Sequence, residues 1–98
     1  MQLVIFARFH AREGQEATLA AALAEQVGSV SGEPGCLEIA AYRSTRNSRL
    51  FWIHSRWMDE AAFQVHADLP STDRFIRRME ALIDHPFDAT RAVRIATS

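Results

Sequence analysis

The stretch HSRWMDEAAFQVH, His54 to His66, decides how the chain folds. It ends a run of aromatic and β-branched residues, RLFWIHSRW, that reads as a strand. At Asp59 the pattern changes. Aspartate is a good helix N-cap, and the residues after it favour a helix that runs through Leu69. Upstream, CLEIAAYRS reads as a second strand, and TRNS (Thr45–Ser48) is short enough to join the two as an antiparallel hairpin. Downstream, Pro70 interrupts the helix, and Ser71 can cap a further segment from Thr72 to about Asp84. Its apolar stripe is Phe75, Ile76, Met79, Leu82 and Ile83.

The two ends of the chain complete the pattern. LVIFARFH (Leu3–His10) is a strand, and QEATLAAALAEQVGSV places Leu19, Leu23, Val27 and Val30 at helical spacing. SGEPG stops that helix with a cluster of breakers, and TRAVRIAT supplies a last strand after DHPFD. The order is β-α-β-β-α-β, with the second helix broken. Right-handed crossovers place both helices on one face of a four-stranded sheet, which predicts a ferredoxin-like α+β sandwich. At 98 residues the expectation is one domain, 1–98.

Composition excludes several roles. With 48% apolar and 23% charged residues the chain has the balance of an ordinary globular protein. A formal net charge of −1 and no Lys/Arg run leave no basic footprint for nucleic acid. No run approaches the ~20 apolar residues of a membrane span. The N-terminal segment has no basic leader or small-residue cleavage site, and Cys36 has no internal partner, so the expected compartment is the cytoplasm. The four histidines are far apart in sequence and no element carries ligand spacing, so no metal site is expected.

A ferredoxin-like sheet has one face without helices, and neither face reads as polar. The first strand divides into Leu3, Ile5, Ala7, Phe9 and Val4, Phe6, Arg8, His10; the third into Leu50, Trp52, His54, Arg56 and Phe51, Ile53, Ser55, Trp57. Each set carries large apolar groups, and an exposed patch of that kind calls for a cover. A second copy of the chain is the simplest one, so a homodimer through the open face is expected. A cavity beside that seam would be lined by Arg8, His10, His54, Ser55 and Arg56. Which strand-3 set faces inward depends on register.

Glu33–Pro34–Gly35–Cys36–Leu37 after an amphipathic helix, and LFWIHSRW followed by MDEAAFQVH, resemble elements of the antibiotic biosynthesis monooxygenase family. The most specific part is Trp57, Ala61, Ala62 and His66 at their mutual spacing. The resemblance implies a dimeric α/β barrel, two such sheets face to face. It also implies a cofactor-independent oxygenase acting on a small quinol, anthrone or other polyphenol with dioxygen. The family often has a glutamate two residues before the tryptophan and a histidine after the proline; here those positions are Ser55 and Ser71. That leaves His66 as the residue carried over. Haem-degrading relatives use a histidine and an asparagine that are not matched.

Electron-rich dihydroxyaromatics can reduce dioxygen once deprotonated, so the protein has to bind a flat ring, take a proton and exclude water. In this reading His66 accepts the proton and Arg8 faces the developing oxyanion, histidine in general having a reference pKa of about 6.5. Trp57, Trp52, Phe6 and Phe51 offer stacking surfaces, and His54 and Ser55 line the substrate. The plainer readings are a core histidine that brace helix to strand for His66, an apolar anchor for Trp57, and an ion pair across the dimer for Arg8. Two other functions fit the same residues: a small-molecule-binding module without catalysis, and an isomerase that works by proton transfer.

Overall fold

The computed structural model describes residues 1–98. Strand β1 (Leu3–His10) leads to helix α1 (Glu16–Val30), strands β2 (Cys36–Arg43) and β3 (Leu50–Trp57), helices α2 (Glu60–Ala67) and α3 (Pro70–Met79), and strand β4 (Asp88–Ala92). The sheet order is β2-β3-β1-β4, with every neighbouring pair antiparallel. This is the ferredoxin-like α+β arrangement expected from the sequence. No helix is long and apolar enough to cross a membrane.

Strand register decides what faces what. Trp57 pairs with Leu3, Ser55 with Ile5, Ile53 with Ala7 and Phe51 with Phe9. All eight of these side chains are buried and look toward the helices. Alternation sends Phe6, Arg8, Trp52, His54 and Arg56 to the other, open face. From α1, Leu19, Ala22, Leu23 and Val30 complete the helix-side core.

Several boundaries differ from expectation. Helix α3 starts at Pro70, not after Ser71, with Leu69 as its N-cap. Proline suits the first helical position because its missing N–H would have no partner there and its φ is already helical. The helix ends at Met79, and Leu82 and Ile83 reach the core from turns that follow it. The last strand begins two residues early, at Asp88, and stops at Ala92. The β2–β3 connection spans 44–49, where the Ser44 hydroxyl accepts from the N–H groups of Arg46 and Asn47. At Asp59 the reading holds: its carboxylate accepts from Ala62 N–H at 2.8 Å.

Gly35 joins the α1–β2 turn to α2. Its φ is +82°, and a Cβ there would stand 2.5 Å from the Ala62 Cβ. Gly14 has a similar φ of +85° but nothing near it. Gly35→Ala is therefore expected to destabilise by about 2–4 kcal/mol, left-handed strain plus overpacking, and Gly14→Ala by about 1–2 kcal/mol from strain alone. Thermal or urea unfolding of the two variants checks the difference.

A polar knot closes the far end of the sheet. His10 and His85 set Nδ1 atoms 2.7 and 2.6 Å from the two oxygens of Asp84, and Arg49 approaches one of them at 3.3 Å. His10 and His85 are thus both engaged by Asp84, and His10 is not free to line a cavity as the sequence suggested. The fold brings His10, distant in sequence, to the adjacent Asp84 and His85, so that three possible ligands meet. A cation would have to displace Arg49 and both hydrogen bonds. The hydrogen bond from His10 is the main reason the Asp84 carboxyl titrates below its usual range; partial burial opposes this and His85 adds to it. A depressed folded-state pKa contributes stability above the unfolded value of about 3.9, and the contribution is lost as pH falls through the folded value. Asp84→Asn should melt below the parent at pH 7, and the gap should close as pH falls below the ordinary carboxylate value of about 3.9 and through the lowered folded-state value. Melting curves across that range test the sign.

Candidate functional site

The position of His66 follows from local rules. Asp59 caps α2, which sets His66 in its last turn with the ring toward β3. There the ring packs on the Trp57 indole, centroids 4.9 Å apart, with Phe63 at 5.6 Å. The breaker-rich turn after α1 carries Glu33 to the same spot, where Oε1 lies 2.7 Å from His66 Nδ1. The two side chains are only 13% and 16% exposed. A carboxylate can only accept, so Nδ1 carries the proton and Nε2 is left as the basic atom. Nε2 has no protein partner, yet no buried side-chain nitrogen or oxygen is left unsatisfied, so Nε2 is open to a small molecule.

What it opens onto is a cavity of about 270 Å³ between the sheet and the helices. Trp57, Phe63 and His66 form one wall, and Phe9, Phe75 and Phe87 another, with Ile5, Ile39 and Ile53 on the sheet. Phe9 and Phe87 stack at 4.7 Å. Polar atoms are few: the Ser55 hydroxyl accepts from the Trp57 indole N–H at 3.0 Å, and the Thr72 hydroxyl donates to the His66 carbonyl at 2.6 Å. Arg91 stands at the rim. A mostly apolar hollow with a few placed polar groups suits a small aromatic ligand, and its volume lies just below the usual range for such sites, about 300–1,000 Å³. A larger hollow of about 440 Å³ beside Asp84 and His85 is lined by Arg12, Glu80 and Pro86 among others. Its wall has a single phenyl ring, Phe87, and its histidine is 54% exposed, so the smaller, aromatic-walled cavity is the better candidate.

The expected site residues divide between two faces. His66, Trp57 and Ser55 meet at the cavity. Phe51 is buried nearby in the core but does not line it. Phe6, Trp52, His54 and Arg8 lie across the sheet on the open face. His66 and Arg8 thus do not share a site. The hollow sits under the helices, lined from the helix-facing sides of β1, β3 and β4, and not beside the open face. Glu33 and Arg91 were not expected. The signal for Glu33 is a carboxylate held between breakers, and what it points at is set by tertiary folding.

Comparison with other proteins agrees with the fold. Among solved structures, PA3566 from Pseudomonas aeruginosa is 28% identical, covering 97% of this chain and 95% of that one, with a TM-score of 0.87. Rv0793 from Mycobacterium tuberculosis is 19% identical over 100% of this chain and 99% of that one, with a TM-score of 0.90. A mutant of SnoaB, a cofactor-independent oxygenase from Streptomyces nogalater, is 17% identical over 98% and 95%, with a TM-score of 0.88. The latter two are likenesses of fold alone. No curated protein matches the sequence. The antibiotic biosynthesis monooxygenase family matches residues 2–78, most of the chain, and the protein belongs to that family.

Proposed function

We propose that the protein is a cofactor-independent monooxygenase that oxidises a small quinol, anthrone or related polyphenol with dioxygen. The observation that carries this reading is the His66–Glu33 pair, with a free Nε2 facing an aromatic-walled cavity. Membership of a family that includes such oxygenases supports it. In this mechanism the substrate stacks in the cavity and His66 Nε2 takes a proton from its hydroxyl or acidic carbon. The Nδ1–H bond to Glu33 stabilises the imidazolium, a charge-assisted bond of about 1.5–3 kcal/mol. The substrate anion passes one electron to dioxygen, and the radical pair joins to form a C–O bond. Loss of water from the hydroperoxide leaves the carbonyl: one oxygen atom enters the product and the other leaves as water with two substrate hydrogens. The apolar walls exclude bulk water from these steps.

His66→Gln is expected to lower kcat by about 10²–10⁴-fold, the usual value of a positioned base. Glu33→Gln, which keeps a hydrogen-bond partner but not the charge, should lose less. Oxygen uptake with a panel of anthrones and quinols measures both; no turnover above the spontaneous rate by the parent would overturn the oxygenase reading. Ser55 is engaged by Trp57 and Ser71 is exposed, so no second acid or base faces the cavity with His66. That observation favours the second reading, a ligand-binding module without turnover, which tight binding of unreacted ligand would support. Solvent hydrogen exchange into substrate without oxygen consumption would indicate an isomerase instead.

The open face supports assembly. Phe6 and Tyr42 are 50% and 54% exposed, and with Trp52 and His54 they line one shallow hollow. We take two copies to meet there, with Arg8 at the seam, in a protein placed in the cytoplasm. Phe6→Glu should turn a dimer into a monomer in light-scattering chromatography. A parent that runs as a monomer at micromolar concentration would count against the assembly.

A further inference from the structure

We infer that Arg91 is an anion-binding subsite at the mouth of the cavity, which therefore takes an aromatic compound bearing a carboxylate beside its ring hydroxyl. The inference builds on the proposed function of the same cavity and adds a substrate class. It begins with the charge inventory. The cavity lining contains one permanent cation, Arg91, and no carboxylate, since Glu33 stands behind His66 and does not line it. In a space walled mainly by apolar side chains, that charge favours an anionic occupant.

Position adds to charge. Arg91 lies on β4 opposite Ile5 and points to the helix side of the sheet. Its guanidinium sits 5.0 Å from the centre of the Phe63 ring, which is 5.6 Å from His66 and 5.5 Å from Trp57. The cation and the free imidazole nitrogen thus border one aromatic platform. A ring lying on it can offer a hydroxyl to His66 and a carboxylate to Arg91, and the planar guanidinium matches a carboxylate with two parallel N–H···O bonds.

Arg91 is already aimed, and lightly held. Nη1 donates to Glu60 at 2.9 Å and Nη2 to Gln64 at 3.0 Å, two residues one turn apart on α2. Nε makes no hydrogen bond within the chain. The Arg91 and Glu60 side chains are 41% and 68% exposed, and an ion pair that open contributes little to stability. A ligand carboxylate at the mouth can replace Glu60 while Gln64 and Phe63 keep the guanidinium in place. A brace from β4 to α2 explains the two hydrogen bonds, but not why the wall's single charge lies beside the base.

The test is calorimetric binding under anaerobic conditions of 1-hydroxy-2-naphthoate and of 1-naphthol, which lacks the carboxylate. The parent is expected to bind the acid at least about tenfold more tightly. Arg91→Gln should abolish that preference with naphthol affinity kept, and Arg91→Lys should keep part of it. Glu60→Gln removes the competing carboxylate and should strengthen acid binding alone, a result that stands even if the arginine variants fold poorly. Equal affinities in the parent, a preference that survives in Arg91→Gln, no gain in Glu60→Gln, or no binding of either compound would each overturn the subsite. Oxygen uptake is measured separately: acid binding without turnover sinks the oxygenase reading and leaves the subsite, and turnover without preference does the reverse.

Discussion

The Trp57 indole is the joint on which the site depends. It lies at the end of β3, buried among Leu3, Ile5 and Val30, with Ile39, Ala62 and Phe63 packed around it. Burying an indole requires a partner for its N–H, and the Ser55 hydroxyl two residues earlier on the same strand face supplies it. Ser55 is thus a structural acceptor at a position where relatives often have glutamate. The outer surface of the ring is the bed for His66, so the aromatic group that locks strand to helix also sets the imidazole angle.

Around that joint the chain solves two polar problems with one turn. A histidine at the edge of an apolar space needs its Nδ1 satisfied, and a glutamate brought under the helices needs a donor. The α1–β2 turn brings Glu33 to His66 and meets both needs. Gly35 makes the approach possible, because only a residue without a Cβ fits against Ala62 at that φ. Structural and chemical roles coincide in this pair: the hydrogen bond that braces α2 against the turn also fixes which nitrogen faces the cavity.

The sheet separates two kinds of polar group. On the open face His54 lies 3.6 Å from Glu38, Arg56 donates to the Gln2 side chain, and Arg8 has no hydrogen-bond or ion-pair partner within the chain. On the helix side the cavity wall has only His66 and Arg91 as groups able to carry charge. The difference follows from what each face needs. A ligand cavity of the kind proposed keeps a few groups available and leaves their partners, such as Glu33, outside.

The sequence by itself determined the order of elements, their types and the common face of the helices, because apolar period, caps and breakers act over a few residues. It determined the switch at Asp59 and the placement of His66 on a buried helix side for the same reason. Its reading of a helix broken at Pro70 holds, but Pro70 itself opens α3, because proline is at home in a first helical turn. Only the tertiary structure decided which alternate set of β3 turns inward, because register is fixed by pairing with β1 and a one-residue slip exchanges every side chain between faces. That choice put Arg8 and His66 on opposite sides of the sheet. Only the tertiary structure, likewise, brought Glu33 and Arg91 to the cavity from positions far from His66 along the chain, since no local pattern encodes a meeting that depends on how the layers pack.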